Sequence, residues 1–432
     1  MSSLRTARAI FVSSALLGCD ATIEPERRDI GATDASRDDA MGDVTASDTA
    51  HPATSPTWWQ DVRPLISQHC AGCHSAGLVG PFALDTFADT RGKLAAIAAA
   101  VRTRTMPPWM PLAGCQEFRH ARALTDAQIE TLTQWANSGG PEGDPARPAA
   151  IAPVSRPSLE APRRISLPSA YVPDFTALPT NADDYRCFVI EAPTTQTMYL
   201  TGYDLEPGVR AMVHHANLFA VPPASVAALN QSPNGYSCFG GAGLSSARTI
   251  GVWVPGTPPA RYPERTGIEI VAGSALVVQM HYYRFDPRAA APPPDRSTFL
   301  LELTATSPPR LGQLVGPGVS GFTVPARTRG HVVTGTWMTP SAGTLWGVLP
   351  HMHKLGRRIR VTLGDTCAVD VPSWDFHWQQ AFFFDQPGGI SVRAGMRSTV
   401  TCEYDNPRDV PVSAGEGSDQ EMCGAPFYFT AE

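Results

Sequence analysis

The sequence predicts a multidomain, mainly β chain: a small all-α module followed by two all-β antiparallel sandwich domains of jelly-roll-like type. Three observations predict it. Charged residues make up only 17% of the 432, set against 41 prolines and 37 glycines, a balance that favours turn-rich sheets over helical bundles. Beyond about residue 167, short apolar-alternating runs such as Met198 to Tyr203, Leu276 to Tyr282 and Arg358 to Leu363 are punctuated by Gly, Pro and Asn, which is how antiparallel strands read. Helical periodicity is confined to residues 57–145. The length fits two to four domains. The expected order is a leader over 1–19, an acidic linker over 20–56, the helical module over 57–145, a Pro/Ala-rich linker over 146–166, and sandwiches over 167–297 and 298–432.

The leader carries Arg5 and Arg8, then the apolar run Ala9 to Leu17, then Gly18-Cys19. That is the layout of a short export signal. Its ending, Leu16-Leu17-Gly18-Cys19, resembles a bacterial lipobox. The resemblance implies that Cys19 is lipidated and becomes the first mature residue, anchoring the protein stably to a membrane. Nine cysteines also suit an exported, oxidising compartment, periplasmic or at the cell surface. Between Cys19 and Ala50 nine acidic and three basic residues account for the whole net charge of −6. This stretch is poor in aromatics and cannot order itself by burial, so it reads as a disordered tether. The remainder is neutral and shows no basic surface, which excludes nucleic acid as a partner. No apolar run is long enough for a transmembrane helix.

In the helical module, Cys70-Ala71-Gly72-Cys73-His74 is a C-x-x-C-H sequence. Two thiols at this spacing form thioethers to haem vinyl groups, and the adjacent imidazole ligates iron on the same face. Thr105-Met106-Pro107-Pro108-Trp109-Met110-Pro111 offers the second axial ligand, because its prolines fix a loop that presents a thioether. It resembles the methionine loop of small class I-like cytochromes c, with Met106 as the ligand and Met110 as the alternative. Trp59, Val62, Leu65 and Ile66 form a helical stripe leading into the motif. A closing helix begins at Thr125 with a capping box to Gln128, carries Ile129, Leu132 and Trp135 inward, and stops at Gly139-Gly140. The module is thus expected to be cytochrome c-like, holding one covalent haem. Cys115 has no partner within it.

Four histidine or methionine motifs follow. Val213-His214-His215-Ala216 places two imidazoles on successive strand residues, which face opposite ways. They reach one metal only through a backbone bulge or through different ring nitrogens. Gln279-Met280-His281 lies in a strand-like run. Pro350-His351-Met352-His353 puts two imidazoles at i and i+2, on one side of a strand. Glu421-Met422-Cys423 closes the series. In this order, from about Tyr185 to Phe429, the motifs resemble the copper type II, ascorbate-dependent monooxygenases, the family of peptidylglycine α-hydroxylating and dopamine β-monooxygenases. The resemblance implies two copper ions. His214, His215 and His281 would hold the electron-transfer copper. His351, His353 and Met422 would hold the oxygen-binding copper, whose thioether favours Cu(I). Gln279 matches the family's Gln-x-His pattern and joins His351, His353 and Met422 in the expected catalytic group. Disulfides Cys187–Cys238 and Cys402–Cys423 are implied as well, the second bracing Met422. Cys115 and Cys367 are left over, either bridged or free.

The chain departs from the peptide-amidating members where they hold a substrate carboxylate. Leu349 stands two residues before the His-x-His pair in place of Arg, and Gly424 and Pro426 stand in place of Asn and Tyr. A peptidyl-glycine substrate is therefore not expected. Trp346, Leu349, Trp374, Phe376, Trp378 and Phe382-Phe383-Phe384 either shape an apolar pocket or fill a sandwich core. His331 and His377 read as structural. The expected activity is hydroxylation of a C–H bond of a small organic molecule by O2, with electrons from an ascorbate-like reductant or a redox protein, relayed by the fused haem. The rival expectation is a non-catalytic exported electron-transfer or copper-binding protein.

Overall fold

The computed structural model describes residues 55–76, 80–152, 158–176, 182–238, 241–284, 293–415 and 417–432. The leader, Cys19 and the acidic linker up to residue 54 lie outside the described residues. No helix among those described is long and apolar enough to cross a membrane.

At the N-terminal end, α-helices run over Arg63–His69, Phe87–Arg91, Leu94–Arg102 and Asp126–Asn137. The first is preceded by a wider π-helical turn, Trp58–Val62, in which Val62 N–H bonds back to Thr57 C=O. This turn rotates the expected stripe by one position. Trp58 rather than Trp59 is buried, beside Val62, Ile66, Leu132 and Trp135, all 2% exposed or less. The last helix starts on the expected capping box: Thr125 Oγ1 accepts Gln128 N–H, and Gln128 Oε1 accepts Thr125 N–H at 2.8 Å. Gly139 and Gly140 end it at φ of +80° and +67°, where a side chain would be strained.

The rest is antiparallel sheet, arranged as two sandwiches. In the first, the sheet Tyr236–Ser237, Asp183–Glu191, Ala275–Tyr283, Val213–Val221, Arg248–Trp253 faces the strands Arg163–Ser166, Thr298–Thr304, Met198–Glu206 and Thr266–Ile270. Phe188, Leu218, Val278 and Met280 of the one pack with Leu200, Leu205, Ile268, Phe299 and Leu301 of the other. In the second, Thr328–Met338, Arg397–Asn406, Gly356–Leu363 and Thr366–Val371 face Arg310–Val315, Phe427–Ala431, Gly343–Val348 and Phe382–Phe383. Alternation is cleanest in Arg397–Asn406, where every second residue is buried. Gly343–Val348 is buried throughout, since both of its faces are covered.

Two features cross the boundaries expected from sequence. Arg163–Ser166 pairs with Thr298–Thr304, which pairs with Met198–Glu206. The first sandwich therefore takes one strand from the expected linker and one from beyond residue 297. The former is an exposed edge strand with no apolar alternation to reveal it. A short parallel pairing of Arg310 and Leu311 with Thr266 and Gly267 then fuses the two back sheets into one, so a continuous sheet supports both sandwiches.

The segment after the methionine loop belongs to the second core. Trp109 meets Phe382 edge-on at 5.4 Å, Phe118 stacks on Phe384 at 5.8 Å, and Arg119 N–H bonds Phe383 C=O. Cys115 is bridged to Cys367, across 252 residues. Cys187–Cys238 and Cys402–Cys423 are paired as well. Three disulfides are compatible with an exported protein.

Candidate metal centres

The first centre is built on the pairing of Val213–Val221 with Ala275–Tyr283. A bulge between Val213 and His215 shifts the register and sets His215 opposite His281. Strand alternation would send His214 and His215 to opposite faces, and the bulge brings them together. His214 Nδ1 and His281 Nδ1 each lie 3.2 Å from His215 Nδ1. The three imidazoles form a cluster that could hold a metal ion, with ligand atoms within 4.8 Å of one another. At the roughly 2.0–2.1 Å of an imidazole–metal bond, neighbouring ligand nitrogens fall about 3.3 Å apart in a tetrahedral set. Burial is the first cause that depresses all three, and His214 and His215 lie well below the ordinary imidazole range. They are therefore neutral, the form a metal requires. The outward nitrogens are held too. His281 Nε2–H donates to Asp183 Oδ1 at 2.8 Å, and Asp183 Oδ2 accepts Ser418 Oγ–H at 2.6 Å. His214 Nε2 lies 3.3 Å from His377 Nδ1. Tyr185 stacks on His281 at 4.1 Å.

The second centre is built on a loop, not on the strand expected from the i, i+2 spacing. Gly343–Val348 has ended and Gly356–Leu363 has not begun, because Pro350 cannot donate to a ladder. The loop is held instead by His351, whose N–H and C=O both bond Gly424. Glu421 Oε2 and Oε1 accept the N–H groups of His353 and Leu355, at 2.9 and 2.6 Å. Burial pushes this carboxyl up to about 7 against those bonds. His351 Nδ1–H donates to Gln379 Oε1, and His353 Nδ1–H to Gln420 C=O at 3.1 Å. Both rings thus present Nε2, and His351 Nε2 sits 3.1 Å from Met422 Sδ. Burial, then the neighbouring His351, holds His353 down at about 3. Met422 is fixed from both sides: its C=O accepts Tyr404 O–H at 2.7 Å, and Cys423 is in the disulfide to Cys402.

The two centres are one aromatic ring apart. Phe376 stacks on His214 at 4.7 Å and meets His353 edge-on at 6.0 Å.

The C-x-x-C-H turn winds Cys73 N–H and His74 N–H onto Cys70 C=O, at 3.0 and 2.9 Å. His74 Nδ1–H donates to Phe82 C=O at 3.0 Å, leaving Nε2 for a ligand. The ring leaves no room at Gly80, where a Cβ would lie 2.7 Å from His74 Nδ1. Burial, reinforced by Cys73, pushes the Cys70 thiol up to about 12. Cys70, Cys73, His74 and Met106 line a cavity of about 1170 Å³, whose far wall includes His214, Trp253, His377 and Trp378. A volume somewhat above the roughly 300–1,000 Å³ of ordinary ligand pockets, two thiols outside the disulfides, an imidazole with one nitrogen tied back and a thioether fit a covalent c-type haem. Met110 is not on that wall. It accepts Asp375 N–H at 3.3 Å and packs on the second core.

Gln279 departs from the expected catalytic group. Its amide donates to the carbonyls of Cys238 and Gly241 and accepts from Asn217, at 2.7, 3.1 and 3.0 Å. It braces the disulfide loop rather than either histidine cluster. Trp346, Trp374, Phe382 and Phe384 are packed in the sandwich cores, Leu349 and Phe376 are buried outside those cores, and Trp378 lines the cavity. Asp183 and Gln379 escaped the sequence reading, and His377, read there as structural, sits against His214, since each meets its histidine only through the fold.

No family model matches the chain, and no curated protein matches it. Two solved structures are similar in part, those of PNGF-II in the P21 and C2 space groups. Identities are 8% and 9%, 62% of this chain is covered in each case, and the TM-score is 0.26 for both. The match spans 65% and 64% of those chains, and at this level it carries no argument.

Proposed function

We propose that the protein is an exported haem- and copper-dependent monooxygenase that hydroxylates a C–H bond of a small organic molecule. The observation that carries this reading is the pairing of two unlike donor sets across one ring: three imidazoles on a rigid strand pair, and two imidazoles with a thioether on a braced loop. Neutral imidazole suits both copper oxidation states, and thioether selects Cu(I). Copper at these ligands supplies one-electron chemistry and dioxygen activation, and a c-type haem in the adjoining cavity supplies single electrons.

The chain's own residues do the rest. Asp183 and His377 fix the first ligand set so that Nδ1 faces inward, and Gln379 and Gln420 fix the second so that Nε2 does. Phe376 packs against one imidazole of each set. Leu349 N–H is spent on Pro426 C=O, and Gly424 is the backbone partner of His351. Leu349 stands where the peptide-amidating members of the resembled family carry an arginine, which argues against a substrate anchored there by its carboxylate. Lipidation at Cys19 would hold the enzyme at a bacterial membrane surface.

Metal analysis of purified full-length protein tests the proposal, with one haem and two coppers expected per chain. Oxygen consumption with a reductant and a panel of apolar substrates should then yield hydroxylated product. A chain that takes up zinc in preference to copper at both centres, or consumes no oxygen with any substrate, would overturn it.

A further inference from the structure

One short turn touches all three candidate sites. Residues Asp375 to Gln379 surround the short 3-10 turn Phe376–Trp378. His377 Nδ1 is 3.3 Å from His214 Nε2, and the same ring, with Trp378, forms part of the wall of the cavity that holds Cys70, Cys73 and His74. Phe376 lies between His214 and His353. Gln379 holds His351 Nδ1. The turn is itself clamped. Asp375 Oδ1 accepts His377 N–H at 2.9 Å, Gln379 Nε2–H donates to Phe376 C=O at 2.8 Å, and Trp374 Nε1–H donates to the C=O of His353 at 3.1 Å. Met110, four residues beyond the cavity-lining Met106, accepts Asp375 N–H.

We propose that this turn is the coupling element between the haem cavity and the two histidine centres, with His377 as the contact through which an electron reaches the first. The inference rests on the function proposed above. With Nδ1 of His214 facing the cluster, its Nε2 carries the proton and donates to His377 Nδ1. His377 therefore acts on His214 as Asp183 acts on His281, while its other edge faces the cavity. Transfer through it takes one electron from ferrous haem to a cupric ion at the trihistidine cluster. The haem is oxidised and the copper reduced, no bond of the turn forms or breaks, and the Nε2 proton stays on His214. Phe376 then packs the path onward to His353. His377 and Phe376 are positioning residues, since neither is a ligand.

The test uses full-length holoprotein. Anaerobically reduced haem is followed optically as it reoxidises against bound Cu(II), and copper is followed by electron paramagnetic resonance. His377→Phe should slow haem reoxidation by roughly tenfold or more, the range seen when outer-shell partners of metal ligands are lost. It should also alter the trihistidine copper signal while leaving the haem spectrum and haem content unchanged. Phe376→Leu should leave the first transfer intact and slow the second. An unchanged rate and unchanged copper signal in His377→Phe would overturn the proposal. If that variant loses copper, His377→Gln decides: recovery of copper and of its signal, from an amide oxygen that can accept the His214 proton, supports the role, and no recovery overturns it. Wild-type protein that lacks haem or copper, or whose haem stays reduced beside Cu(II), would refute the underlying function instead.

Discussion

The trihistidine cluster and the His-His-Met cluster solve the same problem with different materials. The first takes its ligands from two adjacent strands near one end of their ladder, where the bulge at Val213 and His215 shifts the register. The second takes them from two loops and replaces the missing ladder with Glu421, the Gly424 pairing and the Cys402–Cys423 disulfide. A strand-borne site keeps its geometry through cooperative backbone bonds. A loop-borne site keeps it through a few named contacts, so single substitutions there should cost more. That asymmetry suits a division between a centre that only passes electrons and one that must admit oxygen and substrate.

The largest effect should come from Met422→Ala. Loss of the thioether removes the softest donor of the loop-borne site. Copper should fall by one equivalent and turnover should vanish, with haem content unchanged, as read by elemental analysis and oxygen uptake. Retention of both coppers would erase the contrast between the sites. Next is Asp183→Asn, which weakens the grip on His281 in the strand-borne site. Its copper affinity should fall by roughly 10- to 100-fold, measured by competition with a chelator, while the His-His-Met site keeps its copper. The double change Cys402→Ala with Cys423→Ala opens a 21-residue loop and should cost about 2–4 kcal/mol in denaturant unfolding. It should also loosen copper at Met422 alone. Removing Cys187–Cys238, which spans 51 residues, should cost a similar amount and leave both coppers bound.

The smallest effect is on pH dependence of the metal-free protein. Burial raises Glu421 to about 7, so the folded state holds a proton that the unfolded chain has already lost. The stabilisation is fully present below about pH 4.5 and is lost as pH rises through 7, with a slope of at most about 1.4 kcal/mol per unit. Glu421→Gln should flatten that slope in thermal unfolding followed from pH 4.5 to 8.

Residues that announce themselves by type were legible in the sequence. Cys70, Cys73 and His74 are adjacent, so their meeting on the cavity wall needs no tertiary information. The strands rich in Val, Ile and Tyr were legible by alternation. The bulge that reconciles His214 with His215 is only one of two arrangements the sequence allows, because a one-residue register shift leaves no compositional mark. Asp183 lies 98 residues from His281, and Gln379 lies 28 from His351. Partners this remote become neighbours only through sheet register. The spacing of Gln279 from His281 places both on one strand, and only the observed hydrogen bonds show that its amide meets the Cys238 loop. The continuous back sheet was hidden because the parallel pairing that fuses it involves only two residue pairs.

The Cys115–Cys367 bridge has a topological consequence. It closes a covalent ring around the whole first sandwich, and the Cys187–Cys238 loop lies entirely within that ring. The ring can close once residue 367 is at hand, while the strands Arg397–Asn406 and Phe427–Ala431 of the second sandwich still follow it in the chain. Thereafter the segment around Cys115 cannot drift from the strand Thr366–Val371 of the second sandwich even when its non-covalent contacts open. Local fluctuation is converted from an escape into a short excursion, and the reach between that segment and the second sandwich becomes a property of the chain's connectivity rather than of its affinity for itself.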